Sequence, residues 1–193
     1  MKKISLDDIK GLAVYEKIRD DFRQSIIELK KKRRVPVGDK VTLVFENRDT
    51  VIFQIQEMLR AERITDLDKV RDEIETYNSL IPEPGELSAT LLLEIEVQVN
   101  LREELLKFLG VDEAVFLKVG SQDTVRAQFE EGRSREDKIS AVQYVKFPVG
   151  KELSKNFADK ENEIKLVIDH PNYRAEVELE PETRQSLAED FEP

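Results

Sequence analysis

The amino-acid sequence predicts an α+β fold in which N-terminal helices with one strand precede a mainly antiparallel sheet with short helices. Apolar residues recur every three to four positions through most of the chain up to Leu80, which is the period of an amphipathic helix. Beyond it they alternate every second position, which is the period of a strand with one buried face. Between the two regimes stands Pro82-Glu83-Pro84-Gly85, and two prolines with a glycine cannot continue a helix. The second half lacks the regular alternation of strand and helix that a parallel sheet requires.

The elements follow in order. Val14, Ile18, Phe22, Ile26 and Leu29 mark a first helix, with Glu16, Lys17, Arg19 and Asp20 between them. It ends in Lys30-Lys31-Lys32-Arg33-Arg34 and is stopped by Pro36 and Gly38. Val41–Phe45 is a short β-prone run. After Asn47-Arg48-Asp49 the helical period returns, with Val51, Ile55, Met58 and Leu59 on one face. A further helix carries Leu67, Val70, Ile74, Tyr77 and Leu80, with Thr65 or Asp66 as its N-cap.

Past the prolines, Leu91, Leu93, Ile95 and Val97 face one way, and Glu94, Glu96 and Gln98 the other. Asn100-Leu101-Arg102-Glu103 has the pattern of a capping box and opens a short helix that ends at Gly110. Strands are predicted over 114–119, 124–130 and 138–147, and a short helix over 151–160. Ile164, Leu166 and Ile168 pair with Ala175, Val177 and Leu179 as a closing hairpin across His170-Pro171-Asn172-Tyr173. Pro181 suits the first turn of a terminal helix. The 193 residues suit one domain, with a helical part over 1–81 and a β-rich part over 86–193.

Composition narrows the function classes. Charged residues make up 37% of the chain, against a usual level of roughly 25%, so the excess belongs on solvated faces or in ion pairs. The net charge of −10 argues against nucleic acid as a partner and against an anionic membrane. No apolar run is long enough to span a bilayer, and Met1–Asp8 has no signal-peptide core, so a cytoplasmic location is expected. Without cysteine there is no disulfide, thiolate nucleophile or cysteine-ligated cluster. No nucleotide-binding glycine loop, nucleophile elbow or histidine-based metal motif occurs. Neither a catalytic residue, nor a cofactor, nor a metal site is assigned.

Single features favour structural roles. The lone His170 reads as a turn residue whose ring bonds nearby backbone. Glu94 and Glu96 share a strand face and have the spacing for a cation or acid–base pair, yet the plainer role is cross-strand ion pairing. The basic run 30–34 reads as cations at a helix C-terminus rather than as a phosphate patch.

The stretch 46–63 is more specific. A strand end runs into a helix start, a ready anion site, with Arg48 beside it. Gln54, Glu57 and Arg60 lie three residues apart, and Gln56, Arg60 and Arg63 form a second polar strip. Glu46, Arg48, Gln54, Glu57 and Arg60 are therefore the candidate ligand- or partner-binding residues.

Here the chain resembles a known family. Arg33-Arg34-Val35 with Val37-Gly38, Phe45-Glu46-Asn47-Arg48 with Thr50, and Gln54–Met58 with Arg60 and Glu62-Arg63 carry the likeness. It continues through Ala141–Val145 to His170-Pro171. The family is a bacterial domain of unknown function, without assigned activity. Its genes are often encoded beside rubrerythrin and an iron–sulfur protein similar to a heterodisulfide-reductase subunit. The resemblance implies a setting in redox or peroxide-stress metabolism. Two functions are open at this level. One is a non-catalytic accessory protein that meets a rubrerythrin-like or iron–sulfur partner through the 46–63 segment. The other is an enzyme or sensor in which Arg48, Arg60 and the helix N-terminus hold a small anion or metal–anion complex. In the second, Glu46 and Glu57 serve as acid–base groups or cation ligands.

Overall fold

A computed structural model describes residues 1–95, 100–121, 123–130, 132, 134–135, 138–159 and 161–191. Helix α1 (Leu12–Arg33) leads into a hairpin of β1 (Arg34–Val37) and β2 (Val41–Glu46), followed by α2 (Arg48–Ala61), α3 (Leu67–Asn78) and β3 (Glu86–Leu93). Next come α4 (Leu101–Leu106), β4 (Val115–Val119), β5 (Asp123–Arg126), β6 (Gln128–Phe129) and a small hairpin, β7 (Ser134–Arg135) with β8 (Lys138–Ile139). The chain continues through β9 (Val142–Pro148), α5 (Gly150–Ala158), β10 (Ile164–His170), β11 (Tyr173–Glu178) and α6 (Pro181–Ala188). It ends in a 3₁₀ turn, Glu189–Phe191.

The strands form a five-stranded sheet, β1-β2-β3-β9-β6, a four-stranded sheet, β11-β10-β4-β5, and the β7-β8 ribbon. All described pairs are antiparallel. The two large sheets enclose one apolar core, with Leu43, Phe45, Leu91 and Phe147 from the first and Leu117, Leu166 and Ile168 from the second. On the other side of the five-stranded sheet, α2 and α3 form a second core around Val51, Ile55, Leu59, Val70 and Ile74, joined by Tyr144 of β9. Because both faces are covered, β2 is buried along its whole length and β3 over most of it. The fold is α+β, as the two periodicities require.

Several boundaries differ from the expectation, each for a tertiary reason. Arg34–Val37 is a strand rather than a plain helix stop, because Pro36 lies on an edge strand, where a missing N–H is tolerated. Gly38 turns this hairpin at φ +73°, and a Cβ there would lie 2.3 Å from the Tyr173 hydroxyl, which donates to Val37 O at 2.7 Å. β3 runs over 86–93 instead of starting near 91, since Ser88 and Thr90 are buried polar residues that disguise the strand. Glu96, Val97 and Gln98 lie outside the described residues. Asn100 precedes α4 without a side-chain cap bond. The predicted strand 124–130 divides at Ala127, where the chain leaves the four-stranded sheet as β5 and joins the five-stranded one as β6. The predicted strand 138–147 divides likewise into β8 and β9. On α1, Val14 and Ile18 are 53% and 41% exposed, while Tyr15, Ile26 and Arg33 are buried. The helix is turned so that Tyr15 reaches an acceptor on α2.

Candidate functional site

The 46–63 segment sits where β2 ends against the helices. Asn47 caps α2, with Thr50 N donating to its Oδ1 at 3.0 Å while Asn47 N donates to Thr50 Oγ1 at 2.9 Å. The helix start is thus partly satisfied from within. Glu46 is 1% exposed, and its carboxylate accepts from Thr50 Oγ1 (2.6 Å), Gln54 Nε2 (3.1 Å) and Thr90 Oγ1 of β3 (2.7 Å). Positions 46, 50 and 54 meet because a strand end feeds directly into a helix, which stacks every fourth residue on one side.

Two further polar side chains of α2, Arg48 and Gln56, hold the first residues of the chain. Arg48 donates to Lys2 O and pairs with Asp8 at 2.6 Å. Asp8 is held well below the usual carboxylate range by the Ser5 backbone N–H and then by Arg48. Gln56, 1% exposed, bonds both backbone groups of Lys10, accepting at 2.6 Å and donating at 3.1 Å. Asn78 of α3 does the same for Ile4, at 2.8 and 2.9 Å. Two amide side chains thus grip an N-terminal segment as a neighbouring strand would.

Glu57 and Arg60 fasten α1. Arg19 donates twice to Glu57, at 2.8 and 2.7 Å, and the Tyr15 hydroxyl adds a bond of 2.8 Å. The Arg19 bonds hold the Glu57 carboxyl below its ordinary value, whereas burial, reinforced by Glu57, pushes the Tyr15 phenol up. Arg60 pairs with Glu16 at 2.6 Å. Edge-to-face contacts from Tyr15 to Phe22 and from Phe22 to Phe53 continue the junction.

Among the described residues, Arg33 is the largest fully buried side chain. Its Nε donates to Phe45 O (3.0 Å), Nη1 to Ser186 O (2.9 Å) and Nη2 to Glu46 O (3.2 Å), and the guanidinium pairs with buried Asp190. Burial outweighs the Arg33 charge, and the Asp190 carboxyl is pushed up to about 6. One residue thereby joins α1, the end of β2, α6 and the final turn. Arg33 lies seven residues beyond Ile26, on the buried side of the helix, but Lys30 at i+4 shares that side, so helical spacing alone does not single Arg33 out from its basic neighbours.

The five candidates therefore do not converge on one pocket. Glu46 and Gln54 are brought together, while Arg48, Glu57 and Arg60 each face a different intramolecular partner. An anion bound by Arg48 or Arg60 would have to displace Asp8 or Glu16. The basic run also separates: Lys31 pairs with Glu28, Lys32 with Glu182, Arg33 with Asp190 and Arg34 with Glu94. Glu94 also accepts from Thr42 at 2.8 Å. His170 bonds backbone on both sides, Nε2 to Leu109 O at 2.8 Å and Nδ1 from Asn172 N at 3.2 Å, so Nε2 carries the proton. Among the described residues no group of three or more His, Asp or Glu is placed to hold a metal ion. No helix among them is long and apolar enough to cross a membrane.

The open spaces lie elsewhere. A cleft of about 690 Å³ runs beside α6, lined by Glu161, Glu163, Glu178, Glu182 and Arg184 among others. A groove of about 370 Å³ lies between α1 and Phe53 of α2.

Residues 3–191 match the sequence profile of a family described as "Protein of unknown function (DUF3501)". The chain belongs to this family. A crystal structure from Burkholderia pseudomallei, described as a novel protein of unknown function, shares 31% identity with it at a TM-score of 0.91. The match covers 99% of this chain and 100% of that one, so the family fold extends over both the helical layer and the paired sheets. No curated protein matches.

Proposed function

We propose that this member of the family is a non-catalytic accessory protein that binds a redox partner of the rubrerythrin-like or iron–sulfur type, in redox or peroxide-stress metabolism. The supporting observation is the destination of its chemistry-bearing side chains. Glu46, Arg48, Glu57 and Arg60 each bond a group of the chain itself, so they hold helices and the N-terminal segment against the sheet. A scaffold fastened in this way presents a fixed helical surface on α1 and α2, where Val14 and Ile18 remain exposed. The partner type comes from the genomic setting that the family resemblance implies.

Affinity-tagged chain expressed in its native host, under oxidising and reducing growth, tests the reading. Mass spectrometry should identify a rubrerythrin-like or iron–sulfur protein at near-stoichiometric level. Recovery of neither under both conditions would sink the proposal.

A further inference from the structure

Resting on the accessory reading, we propose that the groove between α1 and α2 is a docking site for an acidic amphipathic helix of the partner protein. Its floor is apolar, formed by Ile26, Ile27 and Phe53. Its rim consists of Arg23, Lys30, Lys31 and Arg34, so every polar lining residue is a cation. That is a local reversal in a chain with 41 acidic residues against 31 basic ones.

The reversal has a helical origin. Residues 23, 26, 27, 30 and 31 are spaced as one face of α1, and Arg34 follows at its C-terminal end, so that two isoleucines lie between cations along about 16 Å. Phe53 of α2 completes the floor and is held edge-on by Phe22. Lys31 and Arg34 already pair with Glu28 and Glu94, but both pairs are largely solvated and exchange readily. Arg23 and Lys30 have no ion-pair partner among the described residues.

Apolar floor plus cationic rim selects a helix with an apolar stripe at i, i+3, i+4 and i+7, bordered by Asp and Glu. The apolar stripe supplies burial, while the rim selects sign and register and raises the association rate. A bare polyanion would leave the half-buried Ile27 and Phe53 uncovered, and a neutral apolar helix would leave the cations unmatched.

The test uses the full chain and a fluorescently labelled peptide of about 14 residues, with leucines at i, i+3, i+4 and i+7 and flanking glutamates. Anisotropy should report binding that weakens about tenfold or more in the Arg23→Glu/Lys30→Glu variant and between about 50 and 200 mM salt. Both substituted residues line the rim rather than the floor, and an unchanged circular dichroism spectrum and Tm would show that the fold is kept. A composition-matched peptide with its leucines scrambled should bind at least about tenfold more weakly. Equal binding of the two peptides, or no effect of the charge reversal, would overturn the docking site. So would preferential binding of polyglutamate, anionic vesicles or a second copy of the chain. If the native partner co-purifies equally with wild type and with the double variant, the groove inference fails while the accessory reading stands. If wild type recovers no redox partner, the accessory reading fails whatever the peptide does.

Discussion

The two faces of the five-stranded sheet are held in opposite ways. The face toward the four-stranded sheet is a dry apolar seam in which Leu43, Phe45, Leu91 and Phe147 meet Leu117, Leu166 and Ile168. The face toward the helices carries Thr42, Glu46, Ser88 and Thr90 beside the smaller apolar cluster of α2 and α3, and Arg33 bonds the end of β2 from α1. An apolar seam gains free energy from area removed from water and is tolerant of direction. A hydrogen-bonded seam gains little net energy per bond, but each donor must meet its acceptor, so it fixes where the helices sit. Stability and orientation are thus divided between the two faces.

The largest effects should come from one residue on each side. Phe147→Ala should cost about 3–5 kcal/mol by cavity formation. Arg33→Met should cost a similar amount, about 3–5 kcal/mol, because it leaves Asp190 buried and unpaired. Urea denaturation measures both. The faces then separate on repair: Arg33→Met with Asp190→Leu should be less destabilised than Arg33→Met alone, since no charge is left stranded. A double variant no better than the single one would show that the carbonyls bonded by Arg33 matter more than the ion pair.

Acidification sharpens the same contrast. The folded pKa of Asp190 lies above its ordinary 3.8, at about 6, so the folded state holds the proton more tightly than the unfolded one. Its contribution to stability is present below the ordinary value and is lost as pH rises through about 6. Asp8 and Glu57 are shifted the other way, so their contributions are present above the ordinary values and are lost as pH falls. The stability of wild type minus that of Asp190→Asn should therefore fall from pH 4 to pH 7. A rise in that signed difference over the range would reverse the assigned direction.

Glu46→Gln should cost about 1–3 kcal/mol, since three donors lose a carboxylate acceptor in a closed site. A loss confined to the mobility of α2, seen by hydrogen exchange without a change in global stability, would assign Glu46 to orientation alone. The smallest effect should be that of Arg48→Ala. Its pair with Asp8 is partly solvated and should contribute at most about 1 kcal/mol, diminishing with salt. Exchange of the backbone amides at residues 4–10 should rise in that variant.

Much of the element order was legible because helix and strand periods are local. The cap of α3 was legible to within one residue, Thr65 or Asp66, because a capping side chain bonds N–H groups close by in sequence; it is Asp66, which accepts from Asp68 N and Lys69 N. The polar character of 46–63 was legible too, but not what it binds. Gln54 and Gln56 read as a hydrogen-bonding surface for a ligand or partner, and the groups they bond in the fold are Glu46 and the chain's own backbone at Lys10. Those contacts span 8 and 46 residues, and no local pattern encodes the second.

By itself, then, the sequence determined an α+β chain with helices before strands, without cysteine, and with a basic run closing its first helix. Only the tertiary structure decided which charges are surface and which are interior. Arg33 and Lys32 are adjacent, yet one is sealed against Asp190, 157 residues away, and the other lies in solvent beside Glu182. The physical reason is geometric. Successive helical residues point about 100° apart, and burial depends on what distant segment lies in that direction.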